Sequence, residues 1–94
     1  MISHDVLARY AADAACEVTG VSGLVEGHLP GRRGVRVDEG GGGVSFELHV
    51  AVDWGASIPD VGARVQQHVA EYLARMADVR PASVDVVVDE VAQQ

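Results

Sequence analysis

The chain has 94 residues, 48% of them hydrophobic and only 4% aromatic, with 14 acidic against 7 basic residues and a formal net charge of -7. A chain of this length folds as one domain, so we expect residues 1–94 to form a single unit with an aliphatic core. The acidic balance disfavours binding to a phosphate backbone, and the hydrophobic content excludes a disordered chain.

The sequence contains one cysteine, which excludes an internal disulfide bond. No secretory signal is recognisable, and no run approaches the roughly 20 apolar residues that a transmembrane helix needs. We therefore expect a soluble, cytoplasmic protein with no direct membrane insertion.

The first predicted element is an amphipathic helix over residues 4–18. Ser3 is placed to cap its N-terminus, Asp5 lies in the first turn, and Gly20 ends the pattern. Apolar residues recur at helical spacing, namely Leu7, Ala11, Ala14 and Val18. Such a stripe predicts that one side of the helix packs against a sheet.

Cys16 lies near the C-terminal end of this helix, where the dipole raises the pKa of a thiol and disfavours the reactive thiolate. We predict a buried packing residue, since free cysteines are commonly small core residues. A small thiol-dependent enzyme built around Cys16 or the scattered histidines is the least favoured alternative.

Up to three strands follow the helix. VSGLVEG, at 21–27, is the weakest of them, because glycines interrupt it. In RRGVRVDEGGGGVSFELHVAVDW, apolar and polar residues alternate on both sides of the glycine block 40–43, which predicts a hairpin. A phosphate-binding loop is excluded there, because its signature requires a lysine and the chain has none.

VDWGASIPDV, at 52–61, predicts a glycine turn that leads into a second helix, from about 58 to 77. Ser57 is placed as its N-cap, with proline in the tolerated first turn. The predicted core stripe of this helix consists of Ile58, Val61, Val65, Val69, Leu73 and Met76. A final strand, VDVVVDEV, follows through alternating valines.

The predicted fold is a two-layer α+β sandwich of order α-β-β-β-α-β. A strand-helix-strand connection within one sheet makes its strands parallel, so a small mixed sheet with both helices on one face is expected. The other face would carry mostly acidic side chains, from Arg36, Asp38, Glu47, His49, Asp53, Asp85 and Asp89.

Four residues of one strand and its following turn form a candidate interaction surface: Glu47, His49, Asp53 and Trp54. The first three are predicted to point away from the helices. Trp54 is a candidate anchor, because aromatic side chains are enriched in the centres of interfaces.

A small nucleic-acid-binding module is an alternative reading, with Arg32, Arg33 and Arg36 as the cationic edge. The remaining arginines are scattered, so no nucleic acid is expected as a partner. The four histidines, His4, His28, His49 and His68, show no spacing typical of a metal site. Neither catalytic residues nor a metal or other cofactor are predicted.

Four segments together resemble the alkaline shock protein family, also called the envelope stress response proteins of Gram-positive bacteria. They are ISHDVLARYAADAACEVTGVSGL, GVRV, VSFELHVAVDWGASIPDVGARVQQHV and MADVRPASVDVVVDEV, and they cover nearly the whole chain. Their order and spacing carry the resemblance more than any one motif does. Trp54 departs from the pattern, because tyrosine is commoner at that position.

The resemblance implies a non-enzymatic domain that self-associates and supports cell envelope homeostasis. It also implies a membrane-anchored protein partner that holds an otherwise cytoplasmic domain near the membrane. The family offers no catalytic residues to carry over to this chain.

Overall fold

The structure is a computed structural model that describes residues 3–25 and 34–92. Its elements are α1 (His4–Cys16), β1 (Val21–Leu24), β2 (Val35–Gly40), β3 (Gly43–Asp53), α2 (Ile58–Ala77) and β4 (Ser83–Ala92). The order and the mixed sheet confirm the predicted α+β class, and the second helix has the predicted bounds.

β3 is the central strand and pairs with all three of the others. On one edge, β2 pairs antiparallel with 43–48 and β1 pairs antiparallel with 50–52. On the other edge, β4 runs parallel to β3 from Ser45 to Asp53. Because a strand has only two edges, β1 and β2 must lie end to end along the same side of β3.

Both helices cover the same face of the sheet. α1 contacts β1 and β2, α2 contacts β4, and the two helices contact each other. Alanines such as Ala11 and Ala14 are fully buried in α1, which allows its backbone to approach the sheet closely. The largest fully buried side chains come from β2, β3 and α2, and they are Phe46, Leu48, Leu73, Val35, Val50, Val52, Val65 and Val69.

Three details of the predicted helices are wrong. α1 ends at Cys16 rather than at residue 18, and Cys16 is exposed because Ala14 and Ala15 take the core positions of the last turn. In α2, Ile58 is 45% exposed and Met76 is 48% exposed. The terminal turns of a helix have fewer neighbours to cover a side chain, so the core stripe is shorter than predicted.

The two predicted N-caps differ. The Ser3 hydroxyl accepts a hydrogen bond from the Val6 amide at 3.2 Å, as predicted. Ser57 occupies the N-cap position of α2, but its side chain makes no cap hydrogen bond. Its backbone carbonyl accepts from the Val61 amide at 2.9 Å instead, so the predicted side-chain cap at Ser57 is wrong.

β1 and β2 are joined to one point of β3. The Val25 amide donates to the His49 carbonyl at 2.8 Å, and the His49 amide donates to the Gly34 carbonyl at 2.8 Å. Gly34 has a φ of +80°, and a Cβ there would lie 2.7 Å from the Val25 carbonyl oxygen. This position therefore requires glycine for two separate reasons, its dihedral angle and its close backbone neighbour.

The serines provide a matched test of capping. Ser3→Ala should lower the free energy of unfolding by about 1 kcal/mol, because an amide of α1 loses its acceptor. Ser57→Ala should change it by less than about 0.5 kcal/mol, since no side-chain bond is lost. Urea unfolding of both variants measures the difference, and equal losses would contradict the assignment.

Two glycines provide a second test. Gly34→Ala should lower the free energy of unfolding by about 1–3 kcal/mol, because of its positive φ and backbone contact. Gly62→Ala, inside α2 with no atom within 4 Å of the added Cβ, should raise it by about 0.5–1 kcal/mol. Thermal or urea unfolding distinguishes the two signs.

Candidate functional site

The face of the sheet opposite the helices is the open face. No element of the described segments 3–25 and 34–92 packs on it. Charged side chains dominate it, namely Arg36 and Asp38 from β2, Glu47 and His49 from β3, and Asp85 and Asp89 from β4. They alternate along the strands with valines and other apolar residues that pack into the core.

His49 lies at the centre of the open face, between two carboxylates. Its Nε2 is 2.6 Å from Oε2 of Glu47, and its Nδ1 is 2.6 Å from Oδ2 of Asp89. The side chains of His49 and Asp89 are only 13% and 21% exposed, although they lie on a sheet surface. We call Glu47, His49 and Asp89 the carboxylate–histidine cluster.

Strand geometry brings the cluster together. Glu47 and His49 are two residues apart on β3 and therefore point to the same face. Asp89 comes from β4, at a point where the register shifts: Val50 pairs with Val88, but Ala51 pairs with Glu90. Asp89 is thus the extra residue of a β-bulge, and a bulge redirects the side chain that it carries.

The two carboxylates favour the protonated form of His49. The hydrogen bond to Glu47 is the largest cause that raises the pKa of His49 above its ordinary value, and the Asp89 carboxylate adds to it. Burial acts in the opposite direction, because it disfavours the charged imidazolium. An imidazolium satisfies both contacts, since each ring nitrogen then donates one hydrogen.

Arg36 is the part of the predicted cationic edge that the structure describes, while Arg32 and Arg33 lie outside the described residues. Its Nε is 3.1 Å from Oδ2 of Asp38, and both side chains are more than half exposed. An exposed pair of this kind contributes little to stability. Its charge is already matched by Asp38, so Arg36 alone gives the open face no cationic patch.

Asp53 and Trp54 lie at the end of β3, away from the cluster. Asp53 is four residues from His49, or about 13 Å along the strand. Trp54 is 69% exposed, and its amide donates to the Ala92 carbonyl at 3.0 Å, which ties the turn to the end of β4. The four predicted surface residues therefore divide into two pairs, one inside the cluster and one at the end of the sheet.

The described part of the chain contains no group of three or more His, Cys, Asp or Glu residues placed to hold a metal ion. In the carboxylate–histidine cluster, Glu47 and Asp89 contact different nitrogens of one ring and so do not converge on a point. His4 and His68 each contact a separate carboxylate, of Glu39 and Glu17, at 2.7 Å. His28 lies outside the described residues.

Cys16 has no feature of an activated nucleophile. Partial desolvation raises the pKa of its thiol, and the Asp13 carboxylate raises it further. A cleft of about 450 Å³ lies between the end of α1 and α2, lined by Glu17, Arg64 and His68 among others. Cys16 is not among its lining residues.

Neither α1 nor α2 combines the length and apolar character that would let a helix cross a lipid bilayer.

Comparison with solved structures shows the fold. The MamM CTD in its copper form has a TM-score of 0.66 and 17% identity, over 96% of this chain and 87% of that chain. A variant of the MamM CTD has a TM-score of 0.69 and 20% identity, over 94% and 84% of the two chains. At this identity the likeness concerns the backbone arrangement alone.

Comparison of sequences identifies the family. The uncharacterized protein YqhY of Bacillus subtilis (strain 168) is 30% identical over 95 residues, which span 90% of this chain and 70% of that protein. The profile of the alkaline shock protein 23 family, described as having a cell envelope-related function, matches residues 1–93. Both findings confirm the resemblance seen in the sequence, and the chain belongs to the alkaline shock protein 23 family.

Proposed function

We propose that this protein is a non-enzymatic interaction domain of the cell envelope. It self-associates through the open face or a free edge of its sheet, and a membrane-anchored protein partner recruits it to the membrane from the cytoplasm. The observation that carries the proposal is the open face itself, an ordered and mostly acidic sheet surface on which no described element packs.

The sheet edges support the same proposal. Among the described residues, β2 and β4 pair with β3 alone, so each has a second edge whose backbone groups face outward. An open edge offers hydrogen-bond donors and acceptors to a neighbouring strand. β4 is the longer of the two, with 10 residues.

Charge and exposed apolar surface divide the roles within this surface. The carboxylates of Glu47, Asp85 and Asp38 would repel an identical face, and salt would screen that repulsion. Trp54, at the end of the sheet, supplies the apolar area that an interface core needs. Self-association therefore uses Trp54 as an anchor, and the acidic residues set its salt dependence.

Cys16 tests the non-enzymatic part of the proposal. Cys16→Ala should leave association unchanged and alter the free energy of unfolding by less than about 0.5 kcal/mol, because the side chain is exposed. A thiol reagent should label the native protein no faster than free cysteine at neutral pH. Rapid labelling that abolishes function in cells would instead support a reactive thiol.

Trp54 tests self-association. Sedimentation velocity and light scattering should show oligomers whose association strengthens with salt concentration. Trp54→Ala should weaken association at least about tenfold, as expected for an aromatic anchor. Met76→Ala is the matched control, because Met76 is also exposed and apolar but lies on α2. It should associate like the wild type.

Charge reversal on the two faces separates the open face from general electrostatics. Glu47→Arg should change association and its salt dependence, whereas Asp13→Arg makes the same charge change on the exposed side of α1 and should not. In cells, Glu47→Arg should also move protein from the membrane fraction to the soluble fraction. A monomer at all protein and salt concentrations, found only in the soluble fraction, would refute the proposed function.

A further inference from the structure

Three independent features of the backbone and side chains meet at His49. Its ring contacts carboxylates from two strands, Glu47 on β3 and Asp89 on β4. Its backbone holds the ends of β1 and β2, through Val25 and Gly34. The only register shift between β3 and β4 lies next to it and carries Asp89 to its ring. His49 therefore joins both edges of the central strand.

We propose that the carboxylate–histidine cluster is a proton-controlled latch between β3 and β4, closed when both nitrogens of His49 carry hydrogen and released when one proton is lost. The latch regulates the open face, and this regulatory part rests on the proposed function. Its occupant is the proton, and its two clamping groups are Glu47 and Asp89.

The chemistry of imidazole makes the latch two-state. An imidazolium has two N–H donors, so Glu47 and Asp89 can both accept from it at 2.6 Å. A neutral imidazole has one N–H donor, and its other nitrogen presents a lone pair to the second carboxylate. That contact is repulsive at hydrogen-bond distance, so loss of a proton to solvent releases either Glu47 or Asp89.

The surroundings leave little to replace the lost charge. On β2, Arg36 is in register with Glu47, but it is already paired with Asp38. On β4, Asp85 is in register with Glu47, and the neighbour of His49 is the uncharged Val87. These groups are listed here to complete the charges around the cluster, with Glu90 beside Ala51. Deprotonation thus adds a negative charge to an already acidic face.

The pH window follows from the direction of the pKa shift. The folded protein holds the pKa of His49 above its ordinary value of 6.5. Stability from the latch is then fully present below pH 6.5 and is lost as pH rises through the raised pKa of the folded state. The released state therefore belongs to the neutral-to-alkaline side of the transition.

His68 provides a built-in control. It contacts one carboxylate, that of Glu17, at 2.7 Å, and its side chain is 33% exposed against 13% for His49. A single carboxylate can be satisfied by a neutral imidazole, because one N–H donor is enough. His68 therefore has the geometry of an ordinary exposed pair and should not act as a latch.

The first experiment measures the latch itself by NMR titration of the histidine ring protons. His49 should titrate above pH 6.5 in the wild type, and its midpoint should fall in both Glu47→Gln and Asp89→Asn. His68→Gln should leave the His49 midpoint unchanged. A wild-type midpoint at or below that of the two carboxylate variants would overturn the proposal.

A second measurement tests the mechanical consequence. Urea unfolding should show that the wild type loses more stability between about pH 6 and pH 8.5 than His49→Gln does, because the glutamine cannot change charge. His68→Gln should keep the wild-type pH profile. Identical profiles for the wild type and His49→Gln would mean that the proton does not hold the two strands, and the latch would be rejected.

The regulatory part is read from sedimentation velocity across the same pH range. Association of the wild type should weaken as pH rises, while that of His49→Gln should be nearly independent of pH. If the protein is monomeric throughout but the titration and unfolding results hold, the proposed function fails and the latch stands. If oligomers form with the same pH dependence in both proteins, the proposed function stands and regulation by the latch is refuted.

Discussion

The fold depends on the pairing of β3 along both of its edges. Every other strand pairs with it, and none of them is described as pairing elsewhere among residues 3–25 and 34–92. Its inward residues supply much of the core, and its outward residues supply the centre of the open face. Core and surface are therefore two sides of one strand, so a change of register would disturb both together.

Periodicity explains what the sequence could predict about the fold. The alternation in 44–52 and the helical stripe of α2 are long and regular, and both elements appear where expected. The failures concern single side chains. Whether Ser57 bonds to its helix, and whether Cys16 faces the core, depends on the local backbone angle and on neighbouring helices. Neither property is encoded in residue spacing.

The candidate site was predictable only in part, for a similar reason. Glu47 and His49 share a strand, so alternation alone placed them on the same face. Asp89 is 40 residues from His49 in sequence and reaches it through a bulge. A bulge in a valine-rich strand has no clear signature in one sequence, and the polar residue among the valines of β4 was the only available signal. The cluster was therefore visible as composition but not as a contact.

The joint at His49 also affects how the chain tolerates changes in length. Val25 and Gly34 are bonded to the same residue of β3, so the chain leaves and rejoins the sheet edge at one place. Extra residues between these two anchors need not alter the register of either flanking strand. Closing a loop of twice the length costs only about 0.6 kcal/mol more. The junction is thus a natural place to insert an epitope or a fluorescent label for imaging.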